Sequence, residues 1–541
     1  MTRCIGRLTL AVVDLHDRKT QPVTQLCVAI FVTDPDQTRR DIALAAEAGA
    51  DLVELRIDTF DGDVEALVKS ATLPVIVTCR AEWEGGQSTA TDEERLATLA
   101  RVGTLAAYVD VELQTLRKNP FDRSPFGRLI LSAHDFAGRP TRLNNLLTEL
   151  TDSPADVCKV VWTARSVRDN LEAFEILQTR TKPTIALCMG EAGLISRVLA
   201  KKFGALLSFA SLDNAGGTAP GQISIHDMKR LYRWDAISAT TRVYGVVAQP
   251  VMHSMSPALH NAGFEAVDHD GVYLPFLVEG SYESFKAFME SFLHAPGLNL
   301  SGLSITLPHK ENALRYLTEK GAEVEDLAKS IGAVNTIVID SAIQGPESTI
   351  KNPSLRGFNT DYAAILDCIT HALGIEREAL KDYRVAVIGA GGTGRTAVAG
   401  LAHYGATVVV YNRTIERAEE LAAEFNGRSG KVVAASMEKL CQSCCQIYIN
   451  TTSVGMYPKV DASPFGDAPP DLTPDTLVFD TIYNPIETKL LQHARRFGAK
   501  TIGGVEMFVR QAAGQFEAWT GKPAPRDLMR RVIESRLQRA S

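Results

Sequence analysis

The sequence has no excess of positive charge: 57 lysines and arginines stand against 64 aspartates and glutamates, a formal net charge of -7. No basic run interrupts that balance, which argues against a nucleic-acid binder. Long hydrophobic runs are missing too. The opening stretch, MTRCIGRLTLAVVDLHDRK, is too short in its apolar part to span a bilayer. It lacks a small-residue cleavage pattern and the Ser/Arg-rich, acid-poor character of a transit peptide, so a cytoplasmic protein is expected. Nine cysteines without a regular framework point to a reducing compartment. Cys441 and Cys444 form a CxxC beside Cys445, yet no second pair or nearby histidine completes a zinc set. Free thiols and no metal site are expected there. Internal repeats and low-complexity tracts are absent.

What is present is a globular composition, 45% apolar and 22% charged. A chain of 541 residues implies two or three domains. The first 235 residues alternate short apolar runs with amphipathic segments. The strand-like runs are LCVAIFVT, DLVELRID, LPVIVTCR, AAYVDVEL, RLILSAHD, VCKVVWTA, TIALCM and LLSFAS. Strands alternating with helices over this length suit a (β/α)8 TIM barrel, with a doubly wound open sheet as the competing arrangement.

Polar residues gather late in the strands, where barrel enzymes place their chemistry. Glu54, Arg56 and Asp58 share one face of the second run, Arg80 ends the third, Asp110 and Glu112 lie in the fourth and His134 ends the fifth. Lys159 lies within the sixth, among Val157, Val160, Val161 and Trp162. A charge in such a run needs a partner, or must give up its proton. An apolar strand with cations nearby is expected to favour the neutral amine.

Beyond AISATT (236–241) a smaller α/β unit begins, with RVYGVVAQ, GVYLPFLV, LSGLSITLP and AVNTIVID as strands. From Tyr383 a second βα series follows. The C-terminal segments EMFVRQAAGQFEAWTG and RDLMRRVIESRLQ read as helices returning to the smaller unit. The expected domains are 1–235, a barrel; 242–355 with 505–541, a substrate-binding unit; and 356–504, a Rossmann unit for NADP.

The cofactor signal is GAGGTG: Gly389, Ala390, Gly391, Gly392, Thr393 and Gly394 follow the strand YRVAVI and open an Ala-rich helix. Glycines let a backbone approach a pyrophosphate resting on the helix N-terminus. An NAD site usually ends the next strand with a carboxylate for the ribose hydroxyls. This one ends in Asn412, Arg413 and Thr414, donors that suit a 2'-phosphate, so NADP(H) is preferred over NAD(H).

Residues 26 to about 235 resemble type I 3-dehydroquinate dehydratase through ELRID, TCRAEWEGG, VDVEL, SAHDF, the strand lysine, MGEAGLISR and TAPGQ. Residues 242–541 resemble shikimate dehydrogenase through VAQPVMHSMSPALHN, SITLPHKE, GAVNT, GFNTD, GAGGTGR, NRT, NTTSVGM, DTIYNP and QAAGQFEAW. Together they resemble a fused dehydratase and dehydrogenase of the shikimate pathway.

The first resemblance implies an imine between Lys159 and 3-dehydroquinate, with His134 as general acid-base and Glu84 orienting it. Glu54, Arg56, Arg80, Arg197, Thr218 and Gln222 would hold substrate, Thr218 replacing a frequent serine. The second implies reduction of 3-dehydroshikimate, with Lys310 and Asp361 as the catalytic pair. Ser254, Ser256, Thr306, Asn335, Tyr483 and Gln511 would bind substrate, while Thr451, Ser453, Gly504 and Met507 would line the cofactor. Ser304 replaces a frequent asparagine and Ala364 a frequent glycine. The expected partners are small molecules, with neither nucleic acid nor membrane. The alternatives are a second half that prefers quinate, or a metabolite-sensing regulator without catalysis.

Overall fold

The structure is a computed structural model that describes residues 23–213, 221–340, 353–466 and 469–540. The eight apolar runs of the N-terminal part all form strands: β1 Gln25–Phe31, β2 Leu52–Arg56, β3 Val75–Thr78, β4 Tyr108–Glu112, β5 Leu129–Asp135, β6 Val157–Thr163, β7 Thr184–Met189 and β8 Leu207–Ala210. They lie in sequence order in one parallel sheet, and β8 returns to pair with β1. Between β7 and β8 the N–H of Leu206 donates to Thr184 O at 2.9 Å, so the sheet closes into a barrel rather than opening as a doubly wound sheet. Because the strands are covered on both faces, they read as nearly unbroken apolar runs. Charges appear only where a side chain can turn inward onto other polar groups.

The next sheet has the order β10-β9-β11-β13-β14-β12. Its strands are β9 Arg242–Ala248, β10 Gly271–Leu277, β11 Leu300–Ile305, β12 Glu323–Val324, β13 Thr336–Asp340 and β14 Ser354–Phe358. β9, β10 and β11 are parallel, and β13 runs antiparallel to β11 and β14. Four of these strands are legible as apolar runs. β12 has only two residues, and β14, SLRGF, carries a glycine and an arginine, so neither shows an apolar period. The C-terminal helices Gly504–Thr520 and Arg526–Ala540 bury Val509, Phe516, Trp519, Met529, Ile533 and Leu537 in one core with Tyr244, Val246 and Tyr273 of this sheet.

The third sheet is wholly parallel, in the order β17-β16-β15-β18-β19-β20. Its strands are β15 Arg384–Ile388, β16 Thr407–Asn412, β17 Lys431–Ser436, β18 Ile447–Asn450, β19 Leu477–Asp480 and β20 Lys500–Ile502. The order reverses between β15 and β18, and a nucleotide binds beyond the carboxyl ends of strands at such a switch point. The described chain divides into two compact units. Most of the barrel forms the first; the second takes both other sheets together with Thr163–Glu172 and Cys188–Val198. Among the described residues no helix is long and apolar enough to cross a membrane, and no group of three or more His, Cys, Asp or Glu side chains is placed to hold a metal ion.

Candidate active sites

Inside the barrel, Lys159 projects from β6 onto Asp110 of β4, with Nζ to Oδ2 at 2.8 Å. Glu54 Oε1 lies 3.6 Å from the same nitrogen, and the Phe209 ring centroid 4.6 Å away. The expectation of an amine among apolar groups and cations therefore changes. The valines flank the strand in sequence, but the side chain lies between two carboxylates and an aromatic face. Arg80 shares Asp110, donating through Nη2 to Oδ1 at 2.8 Å, and reaches Ser132 Oγ at 2.8 Å. Burial opposes the charge of Asp110, yet Arg80 and Lys159 together hold it well below the usual carboxylate range. Arg80 is itself raised: burial works against it, and Asp110, Glu112 and Glu84 outweigh burial.

His134 Nδ1 is 2.8 Å from Glu84 Oε1, which also accepts the His134 backbone N–H at 3.1 Å. Burial, aided by the cations of Arg80 and Lys159, lowers the imidazole well below its ordinary value, so it is neutral at pH 7. Burial pushes Glu84 up to about 8, against the pull of Arg80. Arg56 pairs with Asp58 at 2.6 Å, and Thr78 donates to Glu54 at 2.8 Å. Asp58 also accepts the backbone N–H groups of Arg80 and Gln87, which fixes the loop that presents Glu84. Arg197 is buried in the short helix Leu194–Val198, where burial lowers its pKa to about 10. Gln222 is half-buried on a later segment, and Thr218 lies outside the described residues.

In the second unit a cavity of about 380 Å³ is lined by Ser254, Ser256, Thr306, Lys310, Asn335, Asp361, Thr393, Tyr483, Gly504, Met507 and Gln511. These eleven residues come from segments more than 250 positions apart in sequence. Lys310 opens the helix Lys310–Glu319 and donates to Asp361 Oδ2 at 2.6 Å. Asp361 stands in the first turn of the helix Thr360–Leu373, whose N-cap Asn359 accepts the Asp361 N–H at 3.1 Å. Asn335 Oδ1 accepts the Thr360 N–H at 2.8 Å, which ties β13 to that same helix start.

The dinucleotide motif passes a test of shape. Gly389 has φ +111°, where only glycine is comfortable. A Cβ on Gly394 would lie 2.1 Å from Gly389 O, so the close turn demands glycine again. A Cβ on Gly391 or Gly392 would meet no protein atom within 4 Å, so both face open space. The helix Gly392–His403 has no side-chain cap, which leaves its N–H groups for an anion. Asn412 Oδ1 accepts from Ala390 N at 3.2 Å and braces the turn, and Arg413 and Thr414 are exposed beside it. Thr451 donates to Ile388 O at 2.8 Å on the opposite side, and Ser453 is exposed. Donors and space fit an anionic dinucleotide bearing a 2'-phosphate.

The family profile for Type I 3-dehydroquinase matches residues 26–239. Those for the Shikimate dehydrogenase substrate binding domain, for Shikimate / quinate 5-dehydrogenase and for the Shikimate 5'-dehydrogenase C-terminal domain match residues 246–337, 373–479 and 504–534. The chloroplastic Bifunctional 3-dehydroquinate dehydratase/shikimate dehydrogenase of Arabidopsis thaliana is 37% identical over 542 residues, which span 96% of this chain and 85% of the plant protein. The chain belongs to this bifunctional family. The Shikimate dehydrogenase (NADP(+)) of Methanocella arvoryzae is 40% identical over 302 residues, 54% of this chain and 99% of its own length. Among solved structures, the dehydroquinate dehydratase and shikimate dehydrogenase from S. pombe AroM is 26% identical, with a TM-score of 0.42 over 95% of this chain and 99% of that one.

Some contacts of these two sites, and two of their residues, do not stand out from sequence. Asp110 is visible as a charge in YVDVE, but its pairing with Lys159 arises only when β4 and β6 face the same interior. Ser132 is a plain strand serine until register sets it beside Lys159. In the cavity, Gln515 is one helical turn beyond Gln511, and that spacing is the signal that marks it.

Proposed function

We propose that the chain performs two consecutive steps of the shikimate pathway. The barrel dehydrates 3-dehydroquinate to 3-dehydroshikimate, and the second unit reduces that ketone to shikimate with NADPH. The observation that carries this reading is one chain holding a buried lysine in a charged barrel interior and a Lys-Asp pair on a cavity beside a dinucleotide cradle. The functional segments are 1–235, 242–355 with 505–541, and 356–504, with β14 carrying the sheet of the second segment on to Phe358. The described cysteines are free thiols, which fits a cytoplasmic, reducing setting.

In the barrel, Lys159 Nζ adds to the substrate ketone and expels water, forming an imine. Asp110, firmly ionised, keeps the amine aimed and balances the cation that the imine becomes. His134 removes the proton from the neighbouring carbon and returns it to the departing hydroxyl, so the proton is conserved. With its Nδ1–H held on Glu84 Oε1, the imidazole leaves the Nε2 lone pair for the substrate. A second water then hydrolyses the imine and frees Lys159. Arg56, Arg80, Glu54, Arg197, Thr218 and Gln222 hold the ring and its carboxylate.

In the cavity, Ser254 and Ser256 bind the substrate carboxylate, and Thr306, Asn335, Tyr483 and Gln511 bind the ring. NADPH, when bound, supplies the hydride. Lys310 gives a proton to the ketone oxygen, and Asp361 holds its Nζ in place. Arg413 with Asn412 and Thr414 grips the 2'-phosphate, and Gly389–Gly394 receive the pyrophosphate. Thr451, Ser453, Gly504 and Met507 line the nucleotide.

The test is NADPH consumption with 3-dehydroquinate as the only carbon substrate. Wild-type protein consumes NADPH. Lys159→Ala does so only when 3-dehydroshikimate is supplied, and Lys310→Ala releases 3-dehydroshikimate without consuming NADPH. A wild-type protein that leaves NADPH untouched with both substrates would refute the assignment, and faster turnover of quinate than shikimate would reassign the second half.

A further inference from the structure

Behind the wall of the dehydrogenase cavity runs a chain of side-chain hydrogen bonds, its direction set by a group that can only accept. The backbone oxygen of Asn335 receives Gln515 Nε2 at 3.1 Å, and the same nitrogen donates to Thr336 Oγ1 at 3.1 Å. The amide nitrogen being committed there, Gln515 Oε1 faces Ser304, whose Oγ donates to it at 2.8 Å. Ser304 has one proton, now spent, so the Tyr273 hydroxyl at 2.6 Å from Ser304 Oγ is the donor of that pair. Further along, Thr336 Oγ1 donates to Asn335 Oδ1 at 2.7 Å, and the Thr360 N–H reaches the same oxygen at 2.8 Å. Asn335 Nδ2 is therefore a donor, with one N–H on Thr360 Oγ1 at 3.1 Å and one left over, and Thr360 is the residue before Asp361. The chain thus runs from Tyr273, behind the cavity wall, to the helix start that carries the Lys310 partner.

Tyr273, Ser304, Gln515, Asn335 and Thr336 are all at most 5% exposed, so each bond is made away from water. Tyr273 is not among the residues that line the cavity. Its ring stacks on His260, with centroids 4.4 Å apart and planes at 19°, and Trp519 lies 5.9 Å away. Burial raises the phenol above its ordinary value, so it stays a donor throughout the neutral range.

We propose that Tyr273 is a positioning residue for the dehydrogenase, its donated hydrogen bond holding the Ser304 oxygen in place on the cavity wall. With the Ser304 proton on Gln515 and both Gln515 amide protons committed, Ser304 and Gln515 present only lone pairs to the substrate, while Asn335 presents its remaining N–H. Such a wall matches a ring hydroxyl at Ser304, which can donate, and disfavours a carbonyl there. This inference rests on the dehydrogenase reading above.

Tyr273→Phe keeps the ring and its stacking and removes only the hydroxyl that donates to Ser304. In the full-length protein, with shikimate and NADP(+), KM for shikimate rises about tenfold, the scale of one lost buried hydrogen bond, while kcat changes by less than about threefold. Ser304→Ala alone gives a rise of similar size. In the Ser304→Ala background, Tyr273→Phe adds less than about twofold, because the route it acts through is gone. A merely structural tyrosine would lower activity to the same extent in both backgrounds. That result, or a Tyr273→Phe enzyme within twofold of wild type, overturns the proposal. Wild-type protein that fails to oxidise shikimate would instead overturn the dehydrogenase reading itself.

Discussion

The molecule holds two lysine-aspartate pairs of nearly the same length in different surroundings. Lys159 and Asp110 are 2.8 Å apart with side chains 5% and 0% exposed; Lys310 and Asp361 are 2.6 Å apart with side chains 29% and 14% exposed. In the barrel the pair is one part of a charged interior, where Asp110 also serves Arg80 and Ser132. In the cavity the pair stands by itself at the joined starts of two helices. The barrel pair fixes a nucleophile that must form and break a covalent bond. The cavity pair holds a proton donor that needs only to reach the substrate oxygen, and it can stay partly wet. The same two residue types thus do different chemistry because burial and neighbouring charges differ.

The largest effect that sharpens this contrast is on rate. Lys159→Ala lowers dehydratase kcat by more than about 10⁴-fold, the scale of losing a nucleophile, and leaves shikimate oxidation within twofold. Loss of both activities together would show that the two sites are not independent.

Stability separates the aspartates next. Asp110→Asn leaves Lys159 and Arg80 facing a neutral amide in the barrel, a cost of about 3–5 kcal/mol in denaturant unfolding. Asp361→Asn, in its partly wet site, costs less than about 1 kcal/mol. Equal losses would break the distinction between a buried network and an open pair.

A smaller effect concerns the cofactor. Arg413→Ala raises KM for NADPH about tenfold or more, the scale of a charge-assisted contact, and leaves KM for NADH unchanged. An equal rise for both would place Arg413 elsewhere on the nucleotide.

The smallest effect is a pH shift. The proposed base His134 must be neutral, and burial with Arg80 and Lys159 holds its pKa well below that of an ordinary histidine. Dehydratase kcat/KM therefore persists as pH falls through 6.5, the ordinary histidine value, and declines only at lower pH. An acid limb centred at or above 6.5 would contradict this.

Much of the architecture is legible in the sequence, because the signals that carry it are local. The eight barrel strands are short apolar runs with polar ends, and GAGGTG is contiguous. Lys159 announces itself as a charge among valines. What sits opposite Lys159 is not legible, since Asp110 lies on a strand two places away in the sheet and meets it only across the interior. β12 and β14 escape notice because a two-residue strand and a Gly-Arg strand show no period. The Tyr273 relay is hidden for a similar reason: Gln515 and Asn335 are 180 positions apart and meet only where the C-terminal helix packs on the sheet.

The central claim is that Lys159, held by Asp110, is the amine that captures the substrate. Borohydride reduction in the presence of 3-dehydroquinate, followed by mass mapping of peptides, tests it most directly. The account predicts one reduced adduct, on Lys159, lost in Lys159→Ala and retained in Lys310→Ala. An adduct on any other lysine, or none while dehydration proceeds, would contradict it.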